Sequence, residues 1–151
     1  DNVAAIKRNI EVNGLTNVRI VQKGVWSKED VLKFWLYPDP SGHSFVNVEP
    51  HSIGSVQVPV DTVDNILREL HVEKVDFIKV NVEGAEIEAL KGMTDTLRGD
   101  DVELAIGAHH VIGGQESHTM VPPLLKKAGY KVRVKWKTVY AWKETRQSEP
   151  H

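Results

Sequence analysis

The sequence predicts an α/β fold, a mostly parallel sheet with helices on both faces and an antiparallel hairpin at its carboxy-terminal edge. Strand-like runs rich in β-branched residues alternate with stretches of helical period, which is the pattern of a parallel sheet. The run 75–82 (VDFIKVNV) has the make-up of a buried strand and leads straight into a polar turn and a helix. Only Lys137 separates the last two strand-like runs, so they can pair only as a hairpin.

Taken in order, Asp1 is placed to cap a helix in which Val3, Ile6 and Ile10 share a face, and Asn13-Gly14 supplies a left-handed stop. Residues 18–25 (VRIVQKGV) read as a strand. Residues 31–37, a proline-glycine turn cluster at 38–42, and residues 55–60 predict short antiparallel strands of a β-rich insertion over 31–60. Asp61 then caps a helix with Val63, Ile66, Leu67 and Leu70 on one side.

The strand 75–82 is followed by a helix from 85 to about 97, a strand at 102–106 and a loop carrying glycines and histidines. A helix follows over 121–128, whose first turn takes Pro122 and Pro123, and then come strands at 131–136 and 138–142. One domain over residues 1–145 and a disordered tail at 146–151 complete the reading.

Composition narrows the function. With 40% hydrophobic and 26% charged residues the chain is a globular domain, and 19 basic against 21 acidic residues argue against a general hold on nucleic acid. No apolar run is long enough to cross a bilayer and no signal segment is visible, so no membrane partner and a cytoplasmic location are expected. The absence of cysteine excludes disulfides, thiolate nucleophiles and cysteine metal sites.

Asn81, Glu83 and Glu86 fall at the carboxyl end of a predicted parallel strand, the edge of an open α/β sheet where ligands bind. Singly, each glutamate could merely complement a helix dipole and Lys79 could merely pair or snorkel. Together the cluster favours a site. His109 and His110, adjacent on an extended segment, point to opposite sides, and no acidic residue stands at a familiar ligand spacing, so no metal is expected.

The stretch VDFIKVNVEGAEIEALKG resembles the signature of the FkbM family of methyltransferases, a strand ending in a glutamate-glycine turn followed by Leu90-Lys91-Gly92. IKRNIEVNGLTNVRIVQKGVWS, VPVDTVDNIL and KKAGYKVRVKW resemble the family's flanking passages in the same order. The resemblance implies the Rossmann-like sheet of class I methyltransferases, S-adenosylmethionine as cofactor, and a small-molecule or saccharide hydroxyl as acceptor. Carried over by position, it implies catalytic roles for Lys79, Asn81, Glu83 and His109, and cofactor contacts from Trp26, Ser27, Asn81 and Glu83. Ser44 and Glu86 are the implied substrate contacts.

The sequence departs from the family in several places. No glycine-rich first turn and no acidic second-strand end are present, so the sheet is expected to lack its first two strands, to leave apolar edges open, and to be inactive alone. Asn81 stands where the family usually has aspartate and Gly107 where it usually has glutamate. These losses keep open a degenerate methyltransferase-like binding module. A nucleic-acid methyltransferase is the other alternative, disfavoured by Asn81-Val82-Glu83-Gly84 in place of a polar-Pro-Pro-aromatic turn.

Overall fold

A computed structural model describes residues 2–39, 42–46, 51–99 and 102–144, so the Asp1 cap, the tail at 146–151, and part of the 38–42 turn lie outside the described residues. Helix α1 (Asn2–Val12) ends at Gly14, whose positive φ of 61° suits a residue without Cβ, while the Leu15 N–H donates to the Ile10 carbonyl. Strands β1 (Gly24–Val25), β2 (Asp30–Leu36) and β3 (Gly54–Asp61) form one sheet in the order β1-β3-β2, with β1–β3 parallel and β2–β3 antiparallel. Helix α2 (Val63–Glu69) leads to β4 (Phe77–Val80), then to α3 (Glu86–Lys91), α4 (Thr94–Arg98) and β5 (Glu103–Gly107).

A small hairpin, β6 (Val111–Ile112) and β7 (Gln115–Glu116), turns through Gly113 and Gly114, both at positive φ as a two-residue hairpin turn requires. Helix α5 (Ser117–Lys127), β8 (Lys131–Lys135) and β9 (Thr138–Trp142) close the fold, and the second sheet runs β4-β5-β9-β8. Leu104, Ile106, Val139 and Ala141 of that sheet are buried together with Ala89, Leu90, Met93, Val121 and Leu125 of the helical layer. This is the core.

Several expectations are corrected. Of residues 18–25 only Gly24 and Val25 join a sheet; the rest lacks a strand partner and is tied to α2 by side chains instead. Arg19 donates to the Leu70 carbonyl at 2.9 Å, and the Lys23 ammonium reaches Asp61 and Glu69, both at 2.9 Å. The sheets are mixed rather than mostly parallel, because β1–β3 and β4–β5 are the parallel pairs and the other strand pairs of these two sheets are antiparallel. Nor are both faces of the second sheet covered: Tyr140 and Trp142, which flank buried Ala141, are exposed by 42% and 36%, and Phe77, beside half-buried Ile78, by 57%.

The outer edge of β4 pairs with no strand among the described residues, and β1 sits in a separate sheet.

The helix expected over 85–97 breaks at Gly92-Met93. The Asp64 carboxylate, on α2, accepts from the N–H groups of Asp95 and Thr96 at 2.9 Å each and from the Thr96 hydroxyl at 2.6 Å, capping α4 from outside. At the other break point a Cβ on Gly92 would lie 2.0 Å from the Trp26 carbonyl oxygen. Only glycine fits there.

The cap of α2 is Thr62, whose hydroxyl accepts from the Asn65 N–H at 3.0 Å, not Asp61. Asp61 is the last residue of β3, and its carboxylate accepts from Lys23, Asn65 and the Thr62 N–H. Burial works against the charge on Asp61, but these donors outweigh it and hold the carboxyl below the usual carboxylate range.

Helix α5 begins four residues earlier than expected, which places Pro122 and Pro123 in its second turn, where each removes an intrahelical donor. The start is fixed by buried Ser117, whose N–H donates to the His110 carbonyl at 2.7 Å and whose hydroxyl accepts from the His110 N–H at 3.2 Å.

Two outcomes follow. Asp64→Ala removes the cap of α4 and is expected to lower stability by about 1–2 kcal/mol in chemical denaturation. Asp61 has a folded-state pKa below its unfolded value, so its contribution is fully present above the unfolded value and is lost as pH falls through the folded one. Urea midpoints should therefore show Asp61→Asn weaker than wild type at neutral pH, with the gap closing below about pH 4.

Candidate functional site

At the end of β4 the chain makes a strained turn. Val80 is buried, Asn81 is exposed, and Glu83 adopts φ 47°, a left-handed conformation rare for a residue with a side chain, ahead of Gly84 at φ 97°. Three contacts hold it. The Ser44 hydroxyl donates to the Glu83 carbonyl at 2.6 Å, the Gly84 N–H donates to Glu86 Oε1 at 3.1 Å, and the Ala85 N–H donates to the Val82 carbonyl at 3.1 Å.

The Glu86 side chain is fully buried at the start of α3, and its second oxygen, Oε2, has no hydrogen-bond partner among the described residues. His110 stands between the two glutamates, with Nδ1 3.1 Å from Glu86 Oε1 and Nε2 2.9 Å from Glu83 Oε2. A neutral imidazole carries one donor, so both contacts become hydrogen bonds only with a second proton, on the ring or on a glutamate.

A cavity of about 470 Å³ opens beside this turn, and its walls come from four parts of the chain, one of them Asn2 at the start of α1. Lys23 and Val25 come from the β1 region, Phe34 and Phe45 from the insertion, and Asn81 and Glu83 from the end of β4. The Phe34 and Phe45 rings lie 4.6 Å apart, centroid to centroid. A volume of this order is that of a small-ligand pocket, and aromatic walls beside a few polar groups are the usual make-up.

The residues singled out in the sequence are not all brought together. Asn81 and Glu83 line the cavity, and the Asn81 amide donates to Glu83 Oε1 at 3.4 Å. Lys79 is exposed two positions before Asn81, on the uncovered side of the strand. His109 is exposed and lies on the Asn81 side: a Cβ at Gly107 would meet the His109 ring at 3.6 Å and Asn81 Oδ1 at 2.7 Å.

Ser44 is 1% exposed and its hydroxyl is committed to the Glu83 carbonyl, while Glu86 is committed to Gly84 and His110. Trp26 and Ser27 do not line the cavity; they lie over α3, where the Trp26 carbonyl abuts Gly92 and Ser27 bonds Glu88. Burial raises the Glu88 pKa, but Lys91 and Ser27 more than reverse that and lower it.

Lys23 and Phe34 were not singled out from sequence, and His110 was considered there only as a metal ligand. His110 is adjacent to His109, so the alternation of an extended segment was the available signal. Nothing in the local pattern of Lys23 or Phe34 distinguishes them from surface and strand residues.

Comparison with known proteins agrees with this architecture. The profile of the family described as Methyltransferase FkbM domain matches residues 2–132. The chain is 28% identical over 111 residues to Methyltransferase 1 of Beauveria bassiana (strain ARSEF 2860), covering 61% of this chain and 45% of that protein. It is also 28% identical over 120 residues to Methyltransferase sdnD of Sordaria araneosa, covering 60% of this chain and 46% of that one.

The chain thus spans under half the length of these curated relatives. A crystal structure of Methyltransferase FkbM from Methylobacillus flagellatus KT shares the fold, with a TM-score of 0.62 at 17% identity, over 93% of this chain and 34% of that one. The profile covers most of the chain and includes the glutamate-glycine turn around which the cavity is built, and the chain belongs to the FkbM methyltransferase family.

Proposed function

We propose that this domain takes part in methyl transfer from S-adenosylmethionine to a hydroxyl of a small-molecule or saccharide acceptor, at the cavity beside the β4 turn. The observation that carries the reading is Glu83, the glutamate of the family signature, held in a left-handed turn with its carboxylate on the cavity wall. No helix among the described residues is long and apolar enough to cross a membrane, and the net charge of −2 gives no general hold on nucleic acid. We take the reaction to be cytoplasmic.

The residues present fit such a cofactor. It brings a cationic sulfonium and an ammonium, and the cavity offers an anionic carboxylate at Glu83, an amide at Asn81 and the aromatic walls of Phe34 and Phe45. When bound it supplies an electrophilic methyl group. Glu83 and Asn81 would hold its polar groups.

His109, on the Asn81 side, is our candidate to accept the proton that the acceptor hydroxyl loses, since Asn81 has no basic group. Lys79 would orient the acceptor, and Ser44 and Glu86 would support the acceptor side by fixing the turn. In-line displacement asks mainly for alignment of the two groups, so positioning carries much of the rate.

A second reading, a methyltransferase-like binding module, is favoured by the loss of a carboxylate at both Asn81 and Gly107, the two positions where the family usually carries one.

Equilibrium dialysis of labelled S-adenosylmethionine against the full-length protein carrying this domain tests the proposal. Glu83→Ala is expected to weaken binding about tenfold, the loss of one hydrogen bond to a charged group. Unchanged affinity would remove Glu83 from the cofactor site, and cofactor bound without methyl transfer to any hydroxyl acceptor would favour the module.

A further inference from the structure

Glu83 hangs from a backbone held in the left-handed region, and two side-chain contacts fix its carboxylate. The Asn81 contact, at 3.4 Å, is near the outer limit of a hydrogen bond, whereas His110 Nε2 lies 2.9 Å from Oε2 in a charge-assisted geometry. The stronger hold is the imidazole.

The imidazole is itself fixed from two sides. Nδ1 rests on Glu86 Oε1, which is fully buried and receives the Gly84 N–H, and the His110 backbone is bonded in both directions to buried Ser117. A line of contacts therefore runs from the interior at Glu86, through the largely buried ring, to the wall of the cavity at Glu83.

We propose that His110 is the positioning residue of the site: it takes its orientation from Glu86 and holds one oxygen of Glu83. The other oxygen, Oε1, then stays beside Asn81 as the acceptor a ligand meets. The proposal rests on the reading that Glu83 serves the methyl-transfer site. Its geometry can be tested without cofactor.

Two substitutions separate aiming from mere bracing. The amide nitrogen of Asn sits at the depth of Nδ1 and that of Gln at the depth of Nε2, so His110→Gln keeps a donor for Glu83 and His110→Asn keeps one for Glu86. In the full-length protein, His110→Asn is expected to lose about tenfold in S-adenosylmethionine affinity, as Glu83→Ala does, while His110→Gln returns to within about threefold of wild type. The opposite order, with Asn rescuing and Gln failing, would make His110 a brace for Glu86 and overturn the proposal.

Nitrogen-15 NMR of the two ring nitrogens, read without cofactor in wild type and in Glu83→Gln and Glu86→Gln, gives the second measurement, and it does not depend on either His110 variant folding. Glu83→Gln should shift the Nε2 signal and Glu86→Gln the Nδ1 signal. An Nε2 signal indifferent to Glu83 would also overturn the proposal. If both shifts are seen but Glu83→Ala leaves cofactor affinity unchanged, the aiming of Glu83 stands and the methyl-transfer reading fails.

Discussion

Everything at the candidate site depends on one buried carboxylate. Glu86 has no exposed surface, and a carboxylate removed from water costs several kcal/mol unless hydrogen bonds replace its hydration. The Gly84 N–H and the His110 ring are those replacements at Oε1, while Oε2 has no partner among the described residues. Because one comes from the β4–α3 turn and the other from the segment after β5, satisfying Glu86 locks the two segments together. The left-handed Glu83, which would otherwise relax toward an ordinary turn, sits between them.

A second set of contacts joins the two sheets, which share no strand pairing. The Ser44 hydroxyl reaches from the insertion to the Glu83 carbonyl, and the Trp26 carbonyl, just after β1, packs against the backbone of Gly92 between α3 and α4. The cavity lies beside the first of these contacts, with Phe34 of β2 and Phe45 of the insertion on one side and Asn81 and Glu83 from the end of β4 on the other.

The expected elements were legible where local chemistry decides them. The antiparallel hairpin of residues 131–142 and the helix ending at Gly14 follow from strand pattern, loop length and left-handed glycine. The limits of the 85–97 helix and of α5 were not legible, because Asp64 caps α4 from another helix and Ser117 is pinned by His110. Such partners are distant in sequence, and no window around either helix contains them.

The sequence by itself determined the family, through the glutamate-glycine turn after an apolar strand, and it placed Asn81 and Glu83 at a sheet edge, because strand and turn chemistry act over a few residues. Tertiary structure alone decided which neighbours those residues have. It set His110 rather than His109 against both glutamates, committed Ser44 and Glu86 to holding the turn, and placed Trp26 and Ser27 over α3. The physical reason is range: propensity and period are written locally, but the direction of a side chain at a loop end is set by whichever distant donor or acceptor the packed chain brings to it.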